Sequence, residues 1–352
     1  MLLVIFGAGA SYDSAPSHPP NRGPLPTMIP RGIDNHRPPL ANQLFEERAL
    51  FAETLERYKQ CLAIVPYLRH LGERQLEEVL EQLQTEAESY AQGHRQLAAV
   101  RYYLHDMLWA CGDAWLHEAH GVTNYRTLLD EINRFRKPDE TVSLVTFNYD
   151  TLLEPGLEDL GFKITRVSDY VEQNPHYKVF KVHGSVNWGQ VVSRESFQAP
   201  VNVAPPTIER MIAMVNELRI TESFVLSPTR PMAWVDNEPV FPAIAIPVQA
   251  KSKFACPQSH IDCLEKLLPK VTKILIIGWR AMEQHFLRLL AAHLPKRRVL
   301  VYIVAGDEES ARNTGEALGR FDIQLKMGLD KGGFTDFILE HRAREFLGIE
   351  YK

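Results

Sequence analysis

Cysteine is scarce in this sequence and scattered along it. The 352 residues include four cysteines, and no two of them form a Cys-x-x-Cys pair. Structural zinc sites are normally built from such pairs, so we expect no metal site and no zinc. The scatter instead predicts reduced, mostly buried thiols, which are typical of a cytoplasmic protein. The four are Cys61, Cys111, Cys256 and Cys263.

Long apolar runs and an excess of basic residues are missing as well. No stretch approaches the roughly 20 apolar residues that span a membrane. The apolar run at residues 2–6 is too short for a signal peptide, and no basic segment precedes it. The formal net charge is -5, whereas a nucleic-acid surface needs clustered basic residues. We therefore expect a cytoplasmic protein that binds neither membranes nor nucleic acid directly.

The first apolar run leads directly into a glycine-rich turn. Residues 2–6 are typical of a buried parallel strand, and Gly7-Ala-Gly-Ala-Ser11 follows them. Glycine lets a backbone turn sharply and approach a ligand closely. Backbone amides at the end of such a turn favour a pyrophosphate. The stretch predicts a dinucleotide pocket, although a plain strand-to-loop turn would have a similar sequence.

Two different segments follow this turn. Residues 16–39 hold eight of the 23 prolines and predict a long loop, either a lid over the pocket or a connection. Arg37, near its end, would either meet a phosphate or be an ordinary surface arginine. From residue 40 to about residue 136, apolar residues recur at helical spacing, which predicts several helices. The aromatic residues between 102 and 115 would either fill one core or leave an apolar surface for a partner.

Two further predicted strands end in polar residues. Residues 141–147 are apolar and β-branched, and Asn148-Tyr-Asp150 follows them. Residues 177–182 form a second strand, which ends at His183. In open α/β sheets, ligands bind at the carboxyl ends of the strands. Asp150 could also cap the next helix, and His183 could be a structural histidine, but Asn148 needs another explanation.

The C-terminal half alternates between apolar strands and helices. This alternation predicts a parallel sheet that is covered on both faces. Strands are predicted at residues 273–277, which end in Gly278-Trp279, and 299–304, and shorter ones at 164–167, 223–226 and 243–248. Helices are predicted at 261–268, 282–294, 308–318 and 334–347.

The motifs at four strand ends, taken in order, resemble those of the sirtuin-like family. They are Gly7-Ala-Gly-Ala-Ser11, Thr146-Phe-Asn-Tyr-Asp150, Lys181-Val-His-Gly-Ser185 and Gly278-Trp279. The resemblance covers residues 1–45 and 141–330. It implies a Rossmann-like parallel sheet in an α/β fold that binds NAD, with an all-helical insertion after the first strand. The expected domains are residues 1–45 with 137–352 for the NAD-binding part, and 46–136 for the insertion.

The sequence also departs from sirtuin deacylases. These have a four-cysteine zinc ribbon after the His-Gly pair, whereas no cysteine lies between His183 and Cys256 here. Their Ile-Pro-Asp-Phe-Arg element after the glycine turn is replaced by the proline-rich loop. The chain looks more like bacterial sirtuin-like effectors of anti-phage defence, which hydrolyse NAD to ADP-ribose and nicotinamide. Their usual Gly-Tyr-Ser with a nearby aspartate is Gly278-Trp279-Arg280 with Glu283 in this chain, so the adenosine contacts are not assigned.

The resemblance implies two catalytic residues, Asn148 and His183. An amide can hold a ribose hydroxyl or the attacking water, and imidazole is the usual general base near neutral pH. The site residues expected to bind NAD, as substrate, are Gly7, Ala8, Gly9, Ser11, Arg37, Asn148, Asp150, His183, Gly278 and Trp279.

The resemblance to defence effectors also implies partners and leaves alternatives open. It implies a NAD-depleting enzyme of abortive infection, a homo-oligomer, and a DNA-translocase ATPase partner encoded nearby. One alternative is a sensor that binds NAD or ADP-ribose without hydrolysing it. A protein deacylase or ADP-ribosyltransferase is less favoured, because the zinc ribbon is absent from the sequence.

Overall fold

A parallel sheet of six strands organises the computed structural model, which describes residues 1–20, 35–69, 71, 73–87, 91–196, 208–230, 232–246, 254–296, 299–320 and 325–348. The described strands are β1 (Leu2–Phe6), β2 (Val142–Thr146), β3 (Tyr177–Lys181), β4 (Gly184–Val192), β5 (Ile220–Leu226), β6 (Trp234–Val235), β7 (Glu238–Ile244), β8 (Lys273–Ile277), β9 (Val299–Val304) and β10 (Leu325–Asp330). The six-stranded sheet has the order β10-β9-β8-β1-β2-β3. In order of appearance its strands are therefore arranged 3-2-1-4-5-6, which is the Rossmann order and confirms the predicted Rossmann-like α/β fold.

Helices flank this sheet and fill the region between β1 and β2. The described helices are α1 (Ala8–Tyr12), α2 (Ala49–Arg57), α3 (Val65–Leu68), α4 (Glu73–Ala87), α5 (Ala91–Glu118), α6 (Asn124–Phe135), α7 (Glu154–Asp159), α8 (Asp169–Glu172), α9 (Ile208–Ala213), α10 (Gln258–Leu267), α11 (Gln284–His293), α12 (Glu308–Gly319), α13 (Gly333–Leu339) and α14 (Arg342–Gly348). The predicted helical stretch after the first strand is thus confirmed. None of the described helices has the length and apolar character that a membrane span requires.

Five of the six parallel strands lie where the sequence predicted strands. Every residue of β1 and β2 is buried, as expected for inner strands of such a sheet. The sixth, β10, was not predicted from the sequence, because Leu325–Asp330 is no continuous apolar run. Gly328 in this edge strand lies under the ring of Tyr302 on β9, and a Cβ there would come within 2.7 Å of that ring.

Three of the four aromatic residues of α5 are buried in the protein, and the fourth, Trp109, is half-buried. Tyr102 and Trp115 are fully buried, and Tyr103 is 1% exposed. The hydroxyl of Tyr103 donates to the Leu44 carbonyl oxygen, and the indole N–H of Trp115 donates to Ser14 Oγ. These three rings therefore fill core, and they leave no apolar surface of their own.

The region predicted as an insertion, residues 46–136, contributes to both cores of the protein. Helices α2 to α5 pack with β4, β7 and α9 into one apolar cluster. The last helix, α6, instead packs into the core of the six-stranded sheet through Tyr125, Leu128 and Ile132. Thr123 starts α6, because its Oγ1 accepts a hydrogen bond from Arg126 N.

A second, antiparallel sheet of four strands has the order β5-β4-β7-β6. The strand predicted at 223–226 is confirmed as the end of β5, and that at 243–248 overlaps only the last two residues of β7. The rest of this sheet was not predicted, because Pro239 and Pro242 interrupt the pattern of β7.

Three sequence-based predictions about local structure were wrong. Residues 164–167 form a loop, in which the Asp169 carboxylate accepts hydrogen bonds from the Thr165 and Arg166 N–H groups at 2.8 Å each. The closing helix predicted at 334–347 breaks into α13 and α14 at His341, whose φ is +60°. Asp150 does not cap α7, which starts after Leu153; its carboxylate accepts from Leu152 N and closes a turn before that helix.

Candidate active site

A cavity of about 340 Å³ opens at the carboxyl ends of the central strands. It lies where the strand order reverses, because β1 has β2 on one side and β8 on the other. In sheets of this order the ligand crevice is found at that point. Nine of the ten predicted site residues line it: Gly7, Ala8, Gly9, Ser11, Asn148, Asp150, His183, Gly278 and Trp279.

The glycine turn after β1 packs against the backbone that follows β8. A Cβ on Gly7 would lie 2.5 Å from the Gly278 carbonyl oxygen, and one on Gly9 would lie 2.8 Å from Gly278 Cα. The Gly9 N–H donates to that same carbonyl oxygen at 3.1 Å. Positions 7 and 9 therefore require glycine, because the backbone after β1 contacts the backbone after β8. Ala8, the first residue of α1, lines the cavity beside them.

Asn148 follows β2 and is 6% exposed. Its Nδ2 donates to the Gly7 carbonyl oxygen at 2.9 Å, to Ser11 Oγ at 2.9 Å and to the Tyr125 hydroxyl at 3.0 Å. Ser11 and Tyr125 also hydrogen-bond each other at 2.9 Å. The amide is thus held from three sides, and the Ser11 hydroxyl faces protein groups.

His183 follows β3 and is 3% exposed, at the wall of the same cavity. The edge of its ring meets Phe147 at a centroid distance of 4.9 Å, and Tyr149 stacks beside it at 6.0 Å. These are the two residues that flank Asn148 in the chain. The segment 147–149 therefore positions both predicted catalytic side chains.

A buried ion pair supports the segment after Asn148. Lys181, at the end of β3, is 1% exposed, and its Nζ lies 2.6 Å from Glu154 Oε1 and 2.6 Å from the Asp150 carbonyl oxygen. The Tyr170 hydroxyl donates to the same Glu154 oxygen. Burial raises the pKa of Asp150, against the opposing effects of the Ser11 hydroxyl and the Lys181 charge.

The opposite side of the cavity is formed by the residues after β8 and β9. Trp279 stacks on Phe147, with centroids 5.1 Å apart and planes at 6°, and its indole N–H donates to Glu283. Arg280 lines the cavity beside Asp307, whose pKa it helps to lower after the hydrogen bonds from Ser310. This side therefore combines one flat aromatic wall with charges of both signs.

Arg37 is the predicted site residue that does not line the cavity. It is 5% exposed, and its guanidinium donates to the carbonyl oxygens of Tyr12 and His18. The guanidinium also lies 4.7 Å from the Trp115 ring centroid. The part of the proline-rich loop that would form a lid, residues 21–34, lies outside the described residues. Its two ends line the cavity through Pro20, Pro38 and Pro39.

The helical region supplies a wall that sequence reasoning missed. Glu77 of α4 and Leu108, Cys111 and Gly112 of α5 line the cavity. Tyr125 of α6 was missed as well, because helical periodicity marks it only as a core position. No sequence motif connects these residues with the strand ends. Within the described ranges, no group of three or more His, Cys, Asp or Glu side chains could hold a metal ion.

Comparisons with known proteins give little beyond a remote resemblance. No protein-family model matches the chain. No curated protein matches it either. Among solved structures it is similar to a mutant Sir2 homologue in complex with ADP-ribose, at 12% identity over 100% of this chain and 94% of that one, with a TM-score of 0.39. A complex of Sir2 with the inhibitor EX-527, 2'-O-acetyl-ADP-ribose and a deacetylated p53 peptide is similar at 12% identity over 99% and 95%, with a TM-score of 0.37. Function therefore has to be argued from the residues of this chain.

Proposed function

We propose that this cavity hydrolyses NAD+ to ADP-ribose and nicotinamide. The observation that carries the proposal is that Asn148 and His183 line one cavity with the glycine turn of β1. They come from the ends of neighbouring strands, and their residue types and order are those in which the chain resembles sirtuin-like NAD hydrolases. Both side chains are nearly buried, and a water-excluded site strengthens polar interactions with a substrate.

The proposed reaction breaks the bond between nicotinamide and ribose. Its transition state resembles an oxocarbenium ion, as in glycoside hydrolysis, and water then attacks the ribose carbon. His183 accepts a proton from that water, while Asn148 holds the water or a ribose hydroxyl. The carboxylate of Glu77, which also lines the cavity, favours the positive charge that develops on the ribose.

The rest of the cavity suits the ADP part of NAD+. The Ala8 N–H and the Arg280 guanidinium are donors for the pyrophosphate, and Arg280 replaces Arg37 in this role. The adenosine half then lies beside the ends of β8 and β9. The cavity volume of about 340 Å³ is within the range of small-molecule sites.

The test is to incubate the pure protein with NAD+ and to quantify nicotinamide and ADP-ribose by chromatography. Asn148→Ala and His183→Ala should each lower turnover by a factor of about a hundred or more. Matched controls are Asn133→Ala and His176→Ala, which change the same residue types away from the cavity and should keep wild-type turnover. Full activity in the Asn148→Ala protein would refute the assignment. Binding of NAD+ without turnover would support a sensor instead.

We further propose that the protein depletes NAD+ as an effector of bacterial anti-phage defence. The resemblance to such effectors supports this role, together with a cytoplasmic location, a homo-oligomer and a DNA-translocase ATPase partner. Infected cells that carry the wild-type protein should lose NAD+ and release fewer phage, whereas cells with the Asn148→Ala protein should not. Light scattering tests the oligomer, and a strict monomer at working concentration would exclude it. Co-purification tests the ATPase partner.

A further inference from the structure

Tyr125 is a fully packed aromatic residue whose hydroxyl group reaches the candidate active site. It is 2% exposed, and its ring meets those of Phe6 and Phe334 at centroid distances of 5.1 and 5.5 Å. This packing fixes the position of the ring. A phenylalanine would fill the same space, so packing alone does not account for the hydroxyl.

The hydroxyl of Tyr125 belongs to a group of hydrogen bonds with Asn148 and Ser11. Asn148 Nδ2 donates to the Tyr125 hydroxyl, which hydrogen-bonds Ser11 Oγ. Asn148 Nδ2 also donates to Ser11 Oγ, so the three polar groups form a closed triangle of hydrogen bonds. The Tyr125 hydroxyl therefore has two partners in this triangle, and both are predicted site residues.

A backbone carbonyl accepts a hydrogen bond from the same NH2 group and acts together with Tyr125. Asn148 Nδ2 also donates to the Gly7 carbonyl oxygen, and a carbonyl oxygen cannot donate. The Gly7 carbonyl oxygen and the Tyr125 hydroxyl thus both accept from the NH2 group of Asn148, which therefore faces the protein. Asn148 itself lines the cavity.

We propose that Tyr125 is a positioning residue, which holds the Asn148 amide with its Oδ1 as the acceptor presented to the substrate. The consequence for turnover rests on the proposed NAD+ hydrolysis. An acceptor at this position binds a group that carries a proton, either the attacking water or a ribose hydroxyl. If the Asn148 amide turned by half a rotation, its NH2 group would face the substrate in place of Oδ1. It would then repel the proton of the water or of the ribose hydroxyl.

The first measurement is the kinetics of Tyr125→Phe, which removes the hydroxyl and keeps the ring. Its kcat for NAD+ should fall by about tenfold to a hundredfold, the scale of misplaced catalytic groups, while KM changes by less than about twofold. The matched control is Tyr177→Phe, which removes a hydroxyl that lies 3.3 Å from Asn133 Oδ1 at the other end of the sheet. This control should keep both wild-type constants. Equal kcat values for the two variants would overturn the proposal.

The second measurement does not depend on turnover. The side-chain ¹⁵N–¹H signals of Asn148 are assigned by their loss in the Asn148→Ala protein. These signals should shift and exchange faster with solvent in Tyr125→Phe than in the wild type, and should not change in Tyr177→Phe. A shift in a protein that never hydrolyses NAD+ would support the positioning role and refute the proposed function. Unchanged signals in Tyr125→Phe would overturn the positioning role, whatever the activity.

Discussion

The backbone of Gly9 donates a hydrogen bond to the carbonyl oxygen of Gly278, and the two glycines touch without side chains between them. Gly278 has a φ of +59°, and a Cβ added to it would lie 2.3 Å from Ala10 N. This contact joins the ends of β1 and β8 where the strand order reverses. It therefore shapes the floor of the cavity before any ligand is considered.

Gly278→Ala should be strongly destabilising, because it meets both an unfavourable φ and a backbone clash. The two costs together predict a loss of about 2–5 kcal/mol in the free energy of unfolding. Gly306→Ala is the matched control, since Gly306 follows β9 at the same cavity and a Cβ there meets nothing within 4 Å. Urea unfolding measures both. Similar midpoints for the two variants would contradict the packing argument.

The sequence predicted those parts of the fold that depend on local pattern. Local strand patterns, most of them apolar runs, predicted five parallel strands, and the polar residues after two of these strands gave Asn148 and His183. Because parallel strands end at one edge of a sheet, residues far apart in sequence were expected to meet there. The sequence predicted glycines in the turn after β1 because a ligand would approach the backbone there. The structure adds a second reason, since Gly9 also leaves room for the backbone of Gly278.

The contacts between distant elements could not be predicted in the same way. Tyr125 reaches Asn148 from a helix, and its spacing in the sequence indicates only a core position. Arg37 was a candidate phosphate ligand by its place in the loop, but three-dimensional packing gives it two carbonyl oxygens and the Trp115 ring. The strand β10 could not be recognised from an apolar run either. One of its positions is Gly328, where the ring of Tyr302 leaves no room for a side chain.

Lys181→Met should cost about 3–5 kcal/mol of stability, because it leaves the Glu154 carboxylate buried without its partner. The double variant Lys181→Met, Glu154→Gln removes both charges and should lose less than the sum of the two single variants. Chemical unfolding of the four proteins gives the coupling free energy directly. Additive losses would show that the pair at 2.6 Å contributes no coupling.

Arg280→Gln and Arg37→Gln should change different quantities, the KM for NAD+ in the first variant and the free energy of unfolding in the second. Arg280→Gln removes a cation from the cavity wall, so KM for NAD+ should rise about tenfold or more, with little change in stability. Arg37→Gln loses the donors to Tyr12 and His18, so the unfolding free energy should fall by about 1–3 kcal/mol while KM is retained. A raised KM in Arg37→Gln alone would return the phosphate role to that residue.

Asp150 should reduce the stability of the fold when its carboxyl group is ionised. Burial raises the pKa of its carboxyl group above the ordinary value, and the nearby Glu154 adds to this, while Ser11 and Lys181 act against it. The folded state therefore holds the proton more tightly than the unfolded state. It follows that the contribution of Asp150 to stability decreases as the pH rises from its ordinary pKa through the raised one.

Asp150→Asn, which has the same shape and no charge, should remove that cost. At pH 8 the variant should be at least as stable to urea as the wild type, and the difference should shrink as the pH falls into the range where Asp150 is protonated. Asp139→Asn, at an exposed aspartate, controls for the loss of a surface charge and should show no such pH dependence. A variant that loses stability most strongly at high pH would mean that the ionised carboxylate stabilises the fold, contrary to the raised pKa.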